Sequence, residues 1–119
     1  MRLYSDPEAC MASNNEDIAR YEQENCEAKK IISNNQLKMN HINKLILNYF
    51  NSWGVSDLKS CDPSQRKIIS NLNCQIGDLK KNNVFLDNSI FSNYLSMFNL
   101  AIDNCYLSNA SMLSIFKDA

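Results

Sequence analysis

The residues of this 119-residue chain with the widest chemical repertoire are five cysteines and one histidine. The cysteines form no C-x-x-C pair, and His41 has no cysteine or carboxylate at helical spacing, so neither a zinc site nor a general base is expected. A glycine-rich phosphate loop, an H-E-x-x-H motif and a G-x-S-x-G motif are also absent from the sequence. We therefore expect a protein that is not an enzyme and that uses no cofactor and no metal ion.

Apolar side chains near the C-terminus remain as candidates for binding. Phe91, Leu95, Phe98 and Ile102 recur at gaps of four, three and four, which is the spacing of one face of a helix. A helix that is apolar on this face as well as on a packing face must be covered on both. We interpret the stripe and the apolar tail as a surface for an amphipathic helix of another protein. The predicted partner-binding residues are Phe91, Leu95, Phe98, Ile102, Met112 and Phe116.

A first long helix is predicted from about residue 14 to residue 52. Between Ile18 and Trp53, mostly apolar or small residues recur at gaps that alternate between three and four, as in the seam of a coiled coil. Asn25 and Asn35 lie in this seam. We interpret them as residues that set the register of the helices, the alternative being that they meet a polar partner. Ser13 to Glu16 has the form of a capping box, so residues 1–12 are predicted to be a flexible N-terminal arm.

A second long helix is predicted from about residue 63 to residue 106. Gly54 suits the left-handed position that ends the first helix, and Asp62, Pro63 and Gln65 are typical of a helix start. From Ile69 to Ile90 the apolar spacing is that of the first seam, and the connection between the two helices is short. An antiparallel pairing follows, with Asn25 facing Ile90 and Tyr21 facing Tyr94.

The predicted fold class is all-α: a long antiparallel helical hairpin, coiled-coil-like, with a short third helix at about residues 108–117. Residues 13–119 are expected to form a single domain, because the chain is too short for two cores. Two interpretations of the third helix stay open. It covers the apolar stripe as part of a three-helix core, or it belongs to a mobile groove that a partner helix enters.

Composition limits the classes of partner and the cellular compartment that we expect for this protein. The formal net charge is −1, so no basic surface indicates binding to nucleic acid. The sequence contains no run of about 18 apolar residues, so no membrane insertion is expected. Residues 1–12 lack the apolar core of a signal peptide. We expect a cytoplasmic, reducing location in which the cysteines act as small apolar fillers.

The segment from Ile76 to Leu86, IGDLKKNNVFL, resembles the last long helix of the FlgN-type export chaperones of bacterial flagella. Leu79, Asn83, Phe85 and Leu86 match that pattern, while Lys80 stands where the family has an earlier asparagine. Lys44 and the Leu-rich residues after it, up to Phe50, are similar to an element of the family's first helix. The resemblance covers residues 36–102.

The resemblance implies a cytoplasmic chaperone of type III protein export in flagellum biogenesis. Such a protein binds the C-terminal amphipathic helix of hook-associated proteins and prevents their premature assembly, and the client-binding region carries over to residues 85–116. Alternatives are a helical adaptor or chaperone of a virulence type III secretion or phage system, a self-associating coiled-coil structural subunit, and a small regulator that sequesters another factor. Both a monomer and a homodimer are compatible with the sequence.

Overall fold

Two long helices account for nearly all of the computed structural model. It describes residues 6–118, with side chains for residues 6–110 and 112. Helix α1 spans Pro7–Trp53, a 3-10 turn spans Leu58–Ser60, and helix α2 spans Pro63–Asp118. Residues 6–118 contain no strand. The predicted all-α class and its two long helices are therefore confirmed.

Helix α1 begins at Pro7 and not near residue 14. The Asp6 carboxylate caps the helix by accepting a hydrogen bond from the Ala9 backbone N–H at 3.1 Å, and Pro7 occupies the first helical position, where no N–H is needed. Ser13 therefore lies inside the helix and does not cap it. The prediction of a flexible arm is wrong for residues 7–12, and its residues 1–5 lie outside the described part of the chain.

The other end of α1 has the predicted glycine cap. Gly54 has a φ of 66°, in the left-handed region that a residue without Cβ adopts without strain. The Gly54 N–H donates to the Asn51 carbonyl at 3.3 Å, and the Val55 N–H donates to the Phe50 carbonyl at 3.1 Å. These two bonds form a Schellman motif, which satisfies carbonyls that the helix end leaves open.

Helix α2 begins with the predicted capping box. The Asp62 carboxylate accepts from the Gln65 N–H at 2.9 Å, and the Gln65 side chain accepts from the Asp62 N–H at 3.0 Å. The Gln65 N–H bond, together with the Ser64 hydroxyl at 2.8 Å, lowers the pKa of Asp62 below its ordinary value. Arg66 donates to the carbonyls of Leu58 and Lys59 and so ties the connection to the start of α2.

Residues 6–118 contain no third α-helix, because α2 continues without a break to Asp118. The predictions that α2 ends near residue 106 and that a new helix begins near residue 108 are wrong. Serine is common at helix starts, which is why a new helix was predicted after Ser108 or Ser111. However, the sequence has no glycine or proline after Gly77 that would interrupt α2. Leu107, at the predicted break, is almost completely buried on the packing side of α2.

The chain divides into two compact units, each built from one segment of α1 and one of α2. In the unit of residues 28–87, Ile42, Ile69 and Leu72 form a buried core, which Ile46 and Ile76 extend with other half-buried side chains. Asn35, also buried, donates to the Asn83 side-chain oxygen at 2.9 Å. The two segments pack in opposite chain directions, as predicted.

The second unit comprises residues 1–27 and 88–119, described here for residues 6–27 and 88–118. Ile90 and Leu107 are buried in it, together with the polar residues Asn14 and Asn25. Asn25 donates to the Ile90 carbonyl at 3.5 Å and Asn14 donates to the Asn104 side chain at 3.0 Å, so the segments are again antiparallel. The predicted proximity of Asn25 and Ile90 is confirmed.

The cysteines do not share one environment. Cys61 is buried in the connection, as expected of a small apolar filler. Cys26, Cys74 and Cys105 are exposed, so the prediction is wrong for these three. All five thiols are free. Among the described residues, no helix is long and apolar enough to cross a membrane.

Candidate partner-binding face

Five of the predicted partner-binding residues lie exposed along α2 in the unit that contains residues 88–118. We call them the outer face of α2. Their exposed fractions are 65% for Phe91, 51% for Leu95, 63% for Phe98, 40% for Ile102 and 53% for Met112. Phe116 belongs to the helix, but its side chain lies outside the described part of the structure. The stripe is therefore solvent-facing and not part of a core.

The outer face points away from α1 because a second stripe of α2 packs against α1. This inner stripe continues the predicted seam beyond Ile90 at alternating gaps of three and four, and its members are buried or half-buried. Each helical residue turns the side-chain direction by about 100°. Phe91 and Phe98 follow a residue of the inner stripe by one position, and Leu95 and Ile102 follow one by two positions, so these side chains are turned about 100–200° away from α1. The inner stripe consists of Ile90, Asn93, Met97, Leu100, Asn104 and Leu107.

Buried asparagines set the rotation of α2 about its axis. The Asn93 side chain donates to the Asn25 oxygen at 2.8 Å, and Asn25 in turn donates to the Ile90 carbonyl. Asn93 is half-buried, while its neighbour Tyr94, the predicted partner of Tyr21, is 46% exposed; the pairing of Tyr21 with Tyr94 stays a prediction. Asn25 meets a polar partner, Asn93, and this hydrogen bond also fixes the register of the two helices. Both interpretations of the seam asparagines therefore apply at Asn25.

A second polar layer lies nearer the start of α1. Asn14 is buried and donates to the Asp103 carboxylate at 2.7 Å as well as to Asn104. Asn104 donates to the Asn15 oxygen at 3.0 Å. Sequence reasoning missed Asn14, although it continues the alternating spacing of the α1 seam upstream from Ile18. Met11 and Pro7 continue the same spacing and are half-buried, a signal that the helix begins before residue 14.

Among the described residues of this unit, the exposed large apolar side chains all lie on α2. Between residues 6 and 27, α1 exposes no large apolar side chain, since Met11, Ile18 and Tyr21 are half-buried in the seam. Tyr94 and Tyr106 of α2 are exposed beside the outer face and widen it. The asymmetry makes the outer face a continuous apolar strip on one helix rather than a scatter of single residues.

Charge is nearly absent from the segment of α2 that carries the outer face. Between Asp87 and Lys117 the sequence contains one charged residue, Asp103, and serine and asparagine occupy most of the polar positions. The Asp103 carboxylate accepts the Asn14 hydrogen bond and is half-buried. By contrast, α1 carries many charged residues, including Arg20, which forms exposed ion pairs with Asp17 and Glu24.

The tail does not form a lid over the outer face. Residues 108–118 extend α2 in the same helix, and a helix cannot fold back on its own surface without a break in its backbone. The interpretation in which a third helix covers the stripe is therefore wrong. What the structure presents is an open strip along one helix.

A separate groove lies within the unit of residues 28–87, and sequence reasoning did not anticipate it. Its volume is about 650 Å³. Leu37, Ile42 and Leu79 line it with apolar surface, while Lys38, His41, Gln75 and Asp78 supply its polar atoms. The two helices bring His41 and Asp78 to the same groove, a proximity that spacing along one helix cannot reveal.

The residues behind the chaperone resemblance have mixed environments. Leu79 packs against the core of its unit, Asn83 accepts the Asn35 hydrogen bond, and Leu86 is half-buried. Phe85 is exposed. Leu79 and Asn83 thus contribute to the helix pairing itself.

The described part of the chain contains no cluster of side chains that could bind a metal ion. No group of three or more histidine, cysteine or acidic side chains comes together there at metal-binding geometry.

Comparisons with family models, with curated proteins and with solved structures found no significant match to this chain.

Proposed function

We propose that the protein is a helix-binding chaperone whose outer α2 face holds an amphipathic helix of a client protein. The observation that carries this proposal is the exposure of Phe91, Leu95, Phe98 and Ile102 at the spacing of a helix-packing stripe. Exposed apolar strips of this kind are a common feature of protein interaction sites. An amphipathic client helix matches the strip because its own apolar side chains recur with the same period.

The mechanism is physical and involves no bond chemistry. A client helix that awaits assembly exposes apolar side chains, which favour aggregation while they are in water. Packing against Phe91 and Phe98 removes that surface from water, and the flexible Met112 side chain adapts to small differences between clients. The client loses conformational entropy when it folds on binding, which keeps the affinity moderate and permits release.

The client class is a more specific part of the proposal and rests on the resemblance to FlgN-type chaperones. In that case the bound segment is the C-terminal helix of a hook-associated protein, and the complex is delivered to a type III export apparatus. The outer face of α2 lies within residues 85–116, the region to which the resemblance assigns client binding. The two arguments are independent, since the exposure of the face does not depend on the resemblance.

A peptide titration tests this function. The probe is a fluorescently labelled peptide that contains the C-terminal helix of a hook-associated protein from the source organism, and its anisotropy is followed as the protein is added. The double variant Phe91→Ser, Phe98→Ser is expected to bind at least about 10-fold more weakly, because two large apolar contacts are lost. Helicity measured by circular dichroism should stay unchanged, since both side chains are exposed.

Leu47→Ser is the matched control. Leu47 is exposed to a similar degree but lies on α1 in the unit of residues 28–87. This variant should bind the peptide as the wild type does. Loss of helicity in the double variant would contradict the proposal by showing that the phenylalanines support the fold. If the protein binds unrelated amphipathic peptides but no hook-associated peptide, the helix-binding function is supported and the flagellar client class is rejected.

A further inference from the structure

Charge is divided between two parts of the chain in a way that the net charge of the whole protein does not show. Residues 6–27 of α1 contain seven acidic residues and one basic residue, a net charge of −6. The unit of residues 28–87 contains nine lysine and arginine residues and four acidic residues, a net charge of +5. We call residues 6–27 the acidic segment and residues 28–87 the basic unit. One small chain thus carries two strong and opposite charges.

Basic side chains recur at a fixed interval along both helices of the basic unit. Three pairs, all exposed, are each separated by 14 residues: Lys30 and Lys44, Arg66 and Lys80, and Lys67 and Lys81. Fourteen residues are two heptads, so the members of a pair lie on the same side of their helix, about 21 Å apart. None of the five lysines in these pairs forms an ion pair with a described carboxylate. Their positive charge is therefore not neutralised within the basic unit.

The acidic segment presents carboxylates at the same interval. Glu8 and Glu22 are 14 residues apart on α1, and both are exposed. Neither forms an ion pair with a described residue, and Arg20, the single base of the segment, pairs with Asp17 and Glu24 instead. The two glutamates are thus available for binding, about 21 Å apart on one side of the helix.

We propose that the acidic segment of one molecule binds the basic unit of a second copy of this chain. Glu8 and Glu22 of one copy have the interval of the basic pairs. Lys67 and Lys81 of the second copy are one such pair, so both carboxylates reach a lysine at the same time. An exposed ion pair contributes little by itself, so the association is weak, reversible and dependent on several pairs together.

The distribution of charge favours a second copy over other partners. A nucleic acid is negative throughout, so the basic unit attracts it while the acidic segment of the same molecule repels it. An acidic protein neutralises the basic unit and leaves the acidic segment without a partner. A second copy supplies both signs in nearly equal amounts, and repulsion between like parts restricts the contact to opposite ones. The outer face of α2 contributes none of these side chains, so the inference is independent of the proposed function.

Sedimentation velocity of the full chain at low salt tests the inference. In about 20 mM sodium chloride the charges act over a distance on the order of 20 Å. As the protein concentration rises through the micromolar range, the wild type is expected to shift from monomer to species of at least twice its mass. In about 500 mM sodium chloride the dissociation constant should be at least about 10-fold higher, because the ion pairs are screened.

Two charge-reversed variants identify the parts that meet. Lys67→Glu, Lys81→Glu alters the basic unit, and Glu8→Lys, Glu22→Lys alters the acidic segment. Each variant alone should stay monomeric at low salt, with the circular dichroism of the wild type, since all four side chains are exposed. Their equimolar mixture should associate again, because the first variant keeps its acidic segment and the second keeps its basic unit. The control Lys67→Arg, Lys81→Arg preserves the charge and should associate as the wild type does.

The possible outcomes distinguish this pairing from other contacts. A wild type that stays monomeric at low salt overturns the proposal, and binding of a labelled DNA duplex by that monomer assigns the basic unit to nucleic acid. Association that strengthens as salt is added indicates apolar contact and also overturns it. Folded, monomeric variants that fail to associate when mixed overturn the pairing of opposite parts. Recovery of association in the mixture alone supports it.

Discussion

At the scale of single residues, buried asparagines give the helix pair its specificity. Asn14, Asn25 and Asn35 are each nearly inaccessible to solvent, and each has a side-chain partner on the opposite helix. A buried amide without a hydrogen-bond partner destabilises the folded state. Sliding one helix along the other is therefore unfavourable wherever it separates a buried asparagine from its partner. Apolar contacts alone tolerate a shift by one heptad far better. Sequence spacing located Asn25 and Asn35, whereas their partners required the structure.

Asn25→Ala is expected to lower the free energy of unfolding by about 1–3 kcal/mol, because it removes the hydrogen bonds that the buried Asn25 makes with the Asn93 amide and the Ile90 carbonyl. Urea unfolding followed by circular dichroism measures the change. Asn43→Ala is the control, since Asn43 is exposed on α1, and it should fall within about 0.5 kcal/mol of the wild type. Equal losses in the two variants would show that the buried pair adds nothing.

At the scale of the elements, the ends of the helices depend on a few capping residues. Gly54 and Asp62 end one helix and begin the next as expected, because their roles depend only on neighbouring residues. The same Asp-Pro pair recurs at Asp6 and Pro7, and there it starts α1 earlier than the capping-box motif at Ser13 indicates. Serine-based caps are weaker signals when a helix-compatible sequence surrounds them, which is why the break predicted near Ser108 does not occur.

The two glycines should respond in opposite directions to alanine. Gly54→Ala is expected to destabilise the protein by about 1 kcal/mol, because its φ of 66° is unfavourable for a residue with Cβ. Gly77→Ala is expected to stabilise it by about 1 kcal/mol, because Gly77 lies inside α2. An added Cβ meets no atom within 4 Å at either site, so steric clashes do not complicate the comparison. Thermal unfolding measures both, and shifts of the same sign would contradict the backbone argument.

At the scale of the whole molecule, charge is distributed unevenly along the chain. The formal net charge of −1 conceals this distribution, since 25 charged residues are balanced in sign but only Asp103 falls between residues 88 and 116. The side chains of the outer face of α2 therefore offer no ionic attraction to a partner. Recognition there depends on apolar area and on the period of the side chains, which favours helices of matching pattern over partners selected by charge.

Binding of the labelled hook-associated peptide at the outer face is expected to depend little on salt. Its dissociation constant should change by less than about threefold between low and high sodium chloride, because the side chains of the outer face carry no charge to form ion pairs with the peptide. Anisotropy titrations at several salt concentrations measure it. Asp103→Asn removes the one charge of α2 between residues 88 and 116 and keeps an oxygen that accepts from Asn14, so its salt dependence should equal that of the wild type. A dissociation constant that rises about 10-fold with salt would indicate ionic contacts instead.

Much of the architecture was evident from the chain itself. The alternating gaps from Ile18 to Trp53 and from Ile69 to Ile90 record which side of each helix is buried, since helical periodicity is a local property of the backbone. The short connection between Gly54 and Asp62 then requires antiparallel pairing. The stripe from Phe91 to Ile102 was also evident, because its spacing is the same kind of local signal.

Only the tertiary structure decided which of two neighbouring stripes of α2 meets α1 beyond Ile90. Both stripes contain apolar residues at the same alternating gaps and are offset by one or two positions, so spacing alone does not choose between them. The choice depends on contacts between distant residues: Asn25 with Asn93, and Asn14 with Asp103 and Asn104. Because these pairs satisfy buried polar groups, they turn one stripe inward and leave Phe91, Leu95, Phe98 and Ile102 exposed.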